Sequence, residues 1–297
     1  MYNFKEYVSR EDRLVGGHRM CAGCGGTIAV RNVLKAIKPG DKAVIGNATG
    51  CLEVSTFMYP YTAYKDSYIH NAFENAGATM SGVEGAYNAL RRKGKLDETY
   101  KFITFGGDGG TYDIGFQSLS GAMERGHDMV YVCYDNGAYM NTGIQGSSAT
   151  PVGAWTTTTP GGKSVCKKDL LGIAIAHGIP YCASASIANI PDLRKKVQKA
   201  KDIRGPRLLH IFCPCPTGWG YEPAKSVEVA RLAVQTGAWV LYECEEGKVR
   251  VTVKPKELKP LGEYLKLQKR FKGITEEEVK SFQKYITENY KKQLGAE

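Results

Sequence analysis

The chain has 297 residues, of which 42% are hydrophobic, and it carries nine cysteines and a formal net charge of +10 at pH 7. Its length and apolar content suffice for one large α/β domain, alone or with an extension. The sequence has no apolar run of membrane-spanning length and no signal peptide, so we expect no membrane span and a cytoplasmic location, where a disulfide framework is not favoured. The basic residues are dispersed, which argues against a nucleic-acid partner.

The first motif is Cys-Ala-Gly-Cys-Gly-Gly at 21–26, followed by a segment, 27–37, whose apolar residues have helical spacing. Two cysteines separated by two residues, with glycines around them, place two thiolates on one tight turn, where they can bind a metal ion or a cluster. A short apolar strand, 43–45, then leads into Ala-Thr-Gly-Cys, which places Cys51 at a strand end. A longer amphipathic helix is predicted from residue 71 to about residue 92.

Two buried parallel strands are predicted in the middle of the chain, at 100–105 and 129–134, because both runs are short, aromatic and apolar. The first leads into Gly-Gly-Asp-Gly-Gly and the second into Asp-Asn-Gly. The segment between them has apolar residues at roughly helical spacing and Gly126 where a helix C-cap would lie, which completes a βαβ unit. Asp108 and Asn136 therefore follow the carboxyl ends of neighbouring strands, the edge at which open α/β sheets bind ligands.

The residue types at these two strand ends favour a phosphate ligand and a metal ion. The glycines at 106, 107, 109 and 110 let backbone amides approach a phosphate closely. A carboxylate, a side-chain amide and phosphate oxygens form the oxygen-rich site that Mg²⁺ prefers. A Gly-Asp-Gly turn alone is more often an ordinary strand-to-helix connection. The Asn at the next strand end favours a magnesium-bridged diphosphate that lies across both ends.

The next segments continue the α/β alternation. A long polar loop, 143–168, is interpreted as a lid or a partner contact, because loops of this length are usually functional or disordered. The elements predicted after it are helices at 170–177 and 190–201 and strands at 180–183 and 207–212. The last of these strands leads into Cys-Pro-Cys-Pro at 213–216.

From residue 220 onward the pattern changes. We predict a helix at 227–235, a hairpin of 239–243 with 249–253, and a last helix that begins with a capping box of Thr275 and Glu278. The chain is therefore divided into an α/β domain, 1–219, and a small α+β extension, 220–297, that packs on the core or on a partner subunit. The fold class predicted for the first part is α/β, with a mostly parallel sheet and helices on both faces.

Four cysteines in separate loops could converge on one metal site: Cys21, Cys24, Cys51 and either Cys213 or Cys215. Four thiolates suit tetrahedral zinc as well as an iron–sulfur cluster. A zinc ribbon usually has two Cys-x-x-Cys pairs, whereas this chain has one, so the cysteines favour a cluster modestly. Zinc, and no metal at all, stay open at this point.

Gly-Asp-Gly followed by Asn at the next strand end is the signature of thiamine diphosphate enzymes, which this sequence resembles. Over nearly its whole length the chain is similar to the beta subunit of the 2-oxoacid:ferredoxin oxidoreductases, most of all to the pyruvate members. The motifs that carry the resemblance are Cys-Ala-Gly-Cys-Gly at 21–25, Ala-Thr-Gly-Cys-Leu-Glu at 48–53, His-Asn-Ala-Phe-Glu-Asn at 70–75, Gly-Gly-Asp-Gly-Gly-Thr-Tyr-Asp-Ile-Gly at 106–115 and Tyr-Met-Asn-Thr-Gly at 139–143. The resemblance implies a thiamin diphosphate-binding fold.

The resemblance also implies roles for single residues. Mg²⁺ would be held by Asp108, Asn136 and the backbone carbonyl of Ala138. Asn141 would be a catalytic residue that reaches the substrate or the thiazolium ring. The residues expected to bind the cofactor are Thr49, Gly50, Gly107, Asp108, Gly109, Asn136, Ala138 and Asn141. The ligands expected for a [4Fe–4S] cluster are Cys21, Cys24, Cys51 and Cys215. The last is chosen because the family's fourth cysteine follows a proline just after a late strand, although Cys213 departs from that pattern.

The activity implied by the resemblance is the coenzyme A-dependent oxidative decarboxylation of a 2-oxoacid, pyruvate before others, to acyl-CoA and CO₂. Electrons would pass through the [4Fe–4S] cluster to ferredoxin. The alternative substrates are oxalate and a branched-chain 2-oxoacid. An alpha subunit would supply the glutamate that activates the aminopyrimidine, and gamma- and delta-type subunits would complete the enzyme, so we expect no turnover from this chain alone. The alternative of another class is a non-catalytic, zinc-stabilised binding module.

Overall fold

A computed structural model of the protein describes residues 4–293. The outermost residues of the two predicted domains, 1–3 and 294–297, lie outside this range. The α-helices are α1 Phe4–Ser9, α2 Gly25–Leu34, α3 Cys51–Thr56, α4 Ala76–Arg92, α5 Phe116–Glu124, α6 Leu170–Ala176, α7 Ile190–Asp202, α8 Pro216–Trp219, α9 Ser226–Gln235, α10 Leu261–Leu265 and α11 Glu276–Gln293. In the described range, none of these helices is both long and apolar enough to cross a bilayer. The cytoplasmic location stays a prediction.

Eight of the strands form one sheet, in the order β10-β9-β7-β8-β6-β5-β1-β4. The strands are β1 Lys42–Ala48, β2 Phe57–Met58, β3 Tyr61–Thr62, β4 Ser67–Asn71, β5 Tyr100–Gly107, β6 Val130–Asp135, β7 Tyr181–Ser186, β8 Arg207–Phe212, β9 Leu241–Glu245 and β10 Lys248–Val253. The six strands from β7 to β4 in the sheet order are parallel, whereas β9 and β10 are antiparallel to their neighbours. This arrangement confirms the predicted α/β class with a mostly parallel sheet.

Both faces of the sheet are covered, as β6 illustrates. All six of its residues are buried. Val132 and Tyr134 belong to the larger hydrophobic core, which α2, α7 and α9 cover. Tyr131 and Cys133 point the other way, into a second core that α5 and α6 cover. Burial on both faces explains why the strand is apolar without interruption, and it confirms the prediction of helices on both sides.

The hairpin of the C-terminal part joins the same sheet, because β9 pairs with β7 in antiparallel fashion. The predicted capping box is present at the start of α11. The backbone N–H of Glu278 donates to Thr275 Oγ1 at 3.2 Å, and the N–H of Thr275 donates to the Glu278 carboxylate at 2.8 Å. Residues on either side of 220 thus share one sheet. The division of the chain at residue 220 stays a prediction.

Candidate functional site

Four neighbouring strands, β8, β6, β5 and β1, end at the same edge of the sheet. The segments that follow them contain Cys51, Asp108, Asn136 and Cys215. A cleft at this edge is lined by Thr49, Gly50, Cys51, Phe73, Gly107, Asp108, Gly109, Gly110, Tyr134, Asn136, Ala138, Tyr139, Met140, Asn141 and Thr142. All eight residues expected to bind the cofactor are therefore brought together in one cleft. Their individual roles stay predictions.

Three oxygen-bearing groups meet at the floor of the cleft. Asp108 is buried, and its Oδ1 accepts a hydrogen bond from the backbone N–H of Asn136 at 3.3 Å. One terminal atom of the Asn136 side-chain amide lies 2.8 Å from the carbonyl oxygen of Ala138 and 2.9 Å from Asp108 Oδ1. If that atom is the amide nitrogen, it donates to both oxygens. With the amide rotated, its oxygen lies from each of the other two at the spacing of neighbouring Mg²⁺ ligands, because Mg–O bonds of ~2.1 Å at right angles place adjacent oxygens ~3 Å apart.

The backbone carbonyl groups of residues 136–138 have different partners, and only that of Ala138 is directed toward the Asn136 side chain. The indole N–H of Trp219 donates to the carbonyl oxygen of Asn136 at 2.7 Å. The hydroxyl of Thr150 donates to the carbonyl oxygen of Gly137 at 2.7 Å. The third carbonyl, that of Ala138, is directed at the Asn136 amide. The turn is thus fixed from outside, and the donor set of Asp108, Asn136 and Ala138 fits a magnesium ion.

Ser147, from the long loop after β6, was not identified from the sequence. Its hydroxyl donates to the second carboxylate oxygen of Asp108 at 2.5 Å. Burial, followed by the negative charge of Asp135, raises the pKa of the Asp108 carboxyl well above its ordinary value. A divalent cation would offset both effects by placing positive charge beside the carboxylate. A serine in a long polar loop carries no local signal that could have revealed this contact.

Asp135 was also missed, although it directly precedes Asn136. Its carboxylate oxygen Oδ2 lies 2.7 Å from His210 Nε2, and it accepts a hydrogen bond from Lys167 Nζ at 2.7 Å. Burial opposes ionisation of Asp135, but Lys167 and His210 outweigh burial and lower the pKa of this carboxyl below its usual range. The network holds the end of β6 in place next to Asn136. A charged residue at the end of an apolar, buried strand is the signal that could have identified it.

The segment that carries Cys21 and Cys24 packs directly on the residues after β8. The backbone N–H of Gly25 donates to the carbonyl oxygen of Pro214 at 3.1 Å. A Cβ atom on Gly25 would lie 2.7 Å from the carbonyl carbon of Cys213, so a larger residue would separate the two segments. The Cys-x-x-Cys turn and the Cys-Pro-Cys segment are therefore held against each other by their main chains.

The four thiols expected to bind the cluster lie near enough to one another for their charges to interact. Burial, and then the charges of Cys215, Cys24 and Cys21, raise the pKa of Cys51 to about 12. Cys215 is half-buried, and its sulfur accepts a hydrogen bond from the N–H of Gly218 at 3.3 Å. Cys213 instead belongs to the larger hydrophobic core and is 1% exposed. Cys215 therefore fits the fourth ligand position better than Cys213 does.

Within residues 4–293, no three His, Cys, Asp or Glu side chains are close enough to share one metal ion. Ligands of a [4Fe–4S] cluster bind one iron atom each, so this kind of site does not require three sulfurs around one point. The four cysteines fit a cluster by the chemistry of their donors, since thiolates are its usual ligands.

Comparisons with known proteins identify close relatives. Residues 45–211 match the family described as thiamine pyrophosphate enzyme, C-terminal TPP binding domain. Pyruvate synthase subunit PorB of Methanocaldococcus jannaschii is 54% identical, over 95% of this chain and 96% of the relative. The corresponding subunit of Thermotoga maritima is 49% identical, over 99% of this chain and 94% of the relative. Ketoisovalerate oxidoreductase subunit VorB of Pyrococcus furiosus is 46% identical, over 95% and 92%.

Among solved structures, 2-oxoglutarate:ferredoxin oxidoreductase from Magnetococcus marinus is similar, with a TM-score of 0.60. The similarity covers 83% of this chain and 85% of that chain, at 19% sequence identity. At this level of identity the match supports the fold, and it agrees with the mostly parallel sheet described above.

Proposed function

The chain belongs to the beta subunits of the 2-oxoacid:ferredoxin oxidoreductases, and on this basis we propose that its cleft binds thiamine diphosphate and Mg²⁺ for the oxidative decarboxylation of a 2-oxoacid. The observation that supports this proposal best is the position of Cys51. This residue lines the cleft, and it also lies close enough to three other cysteines for their charges to raise the pKa of its thiol. A cofactor in the cleft and a cluster held by the cysteines would thus be immediate neighbours, as electron transfer between them requires.

The residues at the floor of the cleft would hold the diphosphate end of the cofactor. Asp108, Asn136 and the Ala138 carbonyl would bind Mg²⁺, and the backbones of Gly107 and Gly109 would allow phosphate oxygens to approach closely. When bound, thiamine diphosphate supplies the electron sink that allows CO₂ to leave a 2-oxoacid. The protein fixes the position of the reacting atoms through these contacts, which is a major source of rate acceleration.

The cysteines would hold the electron acceptor. We assign Cys21, Cys24, Cys51 and Cys215 as ligands of a [4Fe–4S] cluster that passes electrons to ferredoxin. Half-burial of Cys215, in contrast to the core position of Cys213, supports this choice. The exposed position of Asn141 at the mouth of the cleft supports a role at the substrate end of the cofactor.

Partner subunits are part of the proposal. The relatives PorB and VorB are named as subunits of larger enzymes. Among the described residues that line the cleft, Asp108 is the one carboxylate, and it is directed at Asn136 and Ser147. The glutamate that activates the aminopyrimidine would therefore come from an alpha subunit, and gamma- and delta-type subunits and coenzyme A would complete the reaction.

Pyruvate is the favoured substrate because relatives named pyruvate synthase reach 54% identity, against 46% for a relative named ketoisovalerate oxidoreductase. The VorB relatives are the observation that supports a branched-chain 2-oxoacid as the second candidate. Oxalate stays an alternative from the sequence.

The test is co-expression of this chain with the other subunits of its enzyme, followed by anaerobic purification. We expect thiamine diphosphate, Mg²⁺ and iron in the complex, and coenzyme A-dependent reduction of ferredoxin that is faster with pyruvate than with a branched-chain 2-oxoacid. Zinc at the four cysteines, without thiamine diphosphate, would contradict the proposal and support the non-catalytic binding module. Faster turnover of the branched-chain acid would reassign the substrate.

A further inference from the structure

Tyr134, the fifth residue of β6, has a buried hydroxyl group without a hydrogen-bond acceptor. The residue is 2% exposed, and within residues 4–293 no group accepts a hydrogen bond from its Oη atom; the backbone N–H of Leu52, which lies near it, is itself a donor. Buried polar atoms in proteins are nearly always paired, because an unpaired one loses its hydration without compensation. A lone hydroxyl at this place indicates that a group bound to the protein supplies the acceptor.

The hydroxyl lies between the predicted cluster and the predicted metal site. A Cβ atom on Gly50 would be 2.6 Å from Tyr134 Oη, and one on Gly107 would be 3.3 Å from it. Gly50 directly precedes Cys51, a ligand of the predicted cluster. Gly107 directly precedes Asp108, a ligand of the predicted metal site. The hydroxyl is therefore close to the backbone beside both sites. Glycine at both positions leaves the space that the tyrosine ring and hydroxyl need.

The distances around the hydroxyl favour the cysteine side. Tyr134 Oη is 2.6 Å from the Cβ position of Gly50 but 3.3 Å from that of Gly107, so it is closer to the backbone beside Cys51 than to the backbone beside Asp108. A tyrosine hydroxyl carries its proton at neutral pH and is therefore a donor. At Cys51, a thiolate and the sulfides of a cluster would be strong acceptors for that proton.

We propose that the Tyr134 hydroxyl donates a hydrogen bond to a sulfur atom of the cluster held by Cys51, and that it is a positioning residue that sets the reduction potential of this cluster. The inference rests on the proposed function. Hydrogen bonds to the sulfurs of a cluster stabilise the additional negative charge of its reduced form and so raise its reduction potential. Tyr134 thereby makes the cluster a better acceptor for electrons that leave the neighbouring cofactor.

The test uses Tyr134→Phe in the assembled complex, with Tyr131→Phe as the matched control. Tyr131 lies on the same strand and is also buried, but it faces the other core, and its hydroxyl is 3.4 Å from Thr111 Oγ1. The signal of the cluster is identified by its loss in a Cys51→Ala complex. We expect Tyr134→Phe to retain iron and thiamine diphosphate and to shift the reduction potential of this cluster to a more negative value, measured by redox titration monitored with electron paramagnetic resonance. Tyr131→Phe should leave that potential unchanged.

An unchanged potential in a Tyr134→Phe complex that retains its iron would overturn the inference. So would weaker binding of thiamine diphosphate with an unchanged potential, because the hydroxyl would then belong to the cofactor. A wild-type complex without iron or thiamine diphosphate would contradict the proposed function instead, so the two failures can be distinguished. Should the variant not fold, electron–nuclear double resonance of the wild-type complex in H₂O and D₂O is the second measurement. It should detect an exchangeable proton coupled to the cluster in addition to that of the Gly218 N–H, which donates to Cys215, and the absence of this second proton would also overturn the inference.

Discussion

Asp108 connects the turn after β5 with the end of β6 and with the long loop. Its carboxylate accepts hydrogen bonds from the Asn136 backbone and from the Ser147 hydroxyl, and one terminal atom of the Asn136 amide lies 2.9 Å from its Oδ1. The chain therefore approaches this carboxylate from the end of β6 and from the long loop. A change at Asp108 affects the proposed metal site without touching the cysteines.

Asp108→Ala should therefore lose thiamine diphosphate and keep iron. Even a change beside a ligand often weakens metal binding ~10- to 100-fold, so we expect the loss of a direct ligand to weaken cofactor binding by more than ~100-fold. Thiamine diphosphate and iron content of the purified complex measure the two effects. Asp113→Ala is the control, because that carboxylate accepts its hydrogen bonds from Ser148 instead. Unchanged cofactor affinity in Asp108→Ala would refute the assignment.

The two cysteines after β8 should differ when each is changed to alanine. Cys215→Ala should lose the cluster, because it removes one of the four proposed ligands. Cys213→Ala should keep it and lose ~1 kcal/mol of stability, since it deletes a small buried side chain. Iron content and the visible absorption of the anaerobic protein distinguish the variants. The opposite pattern would identify Cys213 as the ligand.

At the scale of elements, the long loop after β6 is hydrogen-bonded to the turn that follows β5. Ser147 binds Asp108, and the next residue, Ser148, binds Asp113 through its backbone N–H at 2.9 Å and through its hydroxyl. Asp113 ends a π-helical turn, Gly109–Asp113, that lies between Asp108 and α5. Two adjacent serines thus connect one loop to both ends of this turn.

The adjacent residues Ser147 and Ser148 allow a direct comparison of two hydrogen bonds from the same loop. Ser147→Ala removes a hydrogen bond to a proposed metal ligand, so we expect thiamine diphosphate to bind ~10- to 100-fold more weakly. Ser148→Ala removes a hydrogen bond of the same kind from Asp113 and should leave that affinity nearly unchanged. Titration of the cofactor into complexes first stripped of it provides the measurement. Equal effects of the two changes would mean that the loop only supports the fold.

The strands were predictable where burial on both faces makes them apolar throughout. The predicted strand 207–212 coincides with β8, whereas 43–45 covers only the first half of β1. The apolar pattern ends at Gly46 and Asn47, but Asn47 is buried and donates to Tyr64 Oη at 3.0 Å. A tertiary hydrogen bond of this kind cannot be read from local sequence, and so the prediction ended the strand too early.

In the site, too, the local sequence predicts some contacts, whereas others depend on the tertiary fold. Asp108 and Asn136 could be expected to lie together because each follows a strand of one βαβ unit. His210 and Lys167 approach Asp135 only because β8 lies beside β6 and the long loop returns over the sheet. Such contacts depend on strand order, which the sequence pattern alone does not specify.

At the scale of the whole molecule, the chain provides one part of a catalytic site. The cleft contains the proposed metal ligands, but the described residues that line it include no second carboxylate beside Asp108. We expect the purified single chain to show no 2-oxoacid-dependent ferredoxin reduction, and the addition of the other subunits to restore it. Full activity of the single chain, verified to be free of other subunits, would contradict this expectation.

The stability of the chain should decrease in mild acid because of His210. Burial, together with the positive charge of Lys167, lowers the pKa of His210 from 6.5 to about 4. Since the folded state resists protonation, the contribution of this residue is fully present above pH ~6.5 and is lost as the pH falls toward 4, by up to ~3 kcal/mol. Denaturant unfolding at several pH values measures the effect. In His210→Gln the loss between pH 6.5 and 4 should be smaller, and an equal loss would assign it to other groups.

The contact between Gly25 and Pro214 has a consequence for how the protein matures in the cell. The cysteines assigned to the cluster lie at 21, 24, 51 and 215, so the nascent polypeptide carries its first three sulfur donors long before the fourth leaves the ribosome. The docking surface for the Cys-x-x-Cys turn is likewise synthesised only with β8 and the residues after it. A cluster at these cysteines could therefore acquire its complete set of ligands only after the residues that follow β8 have been translated.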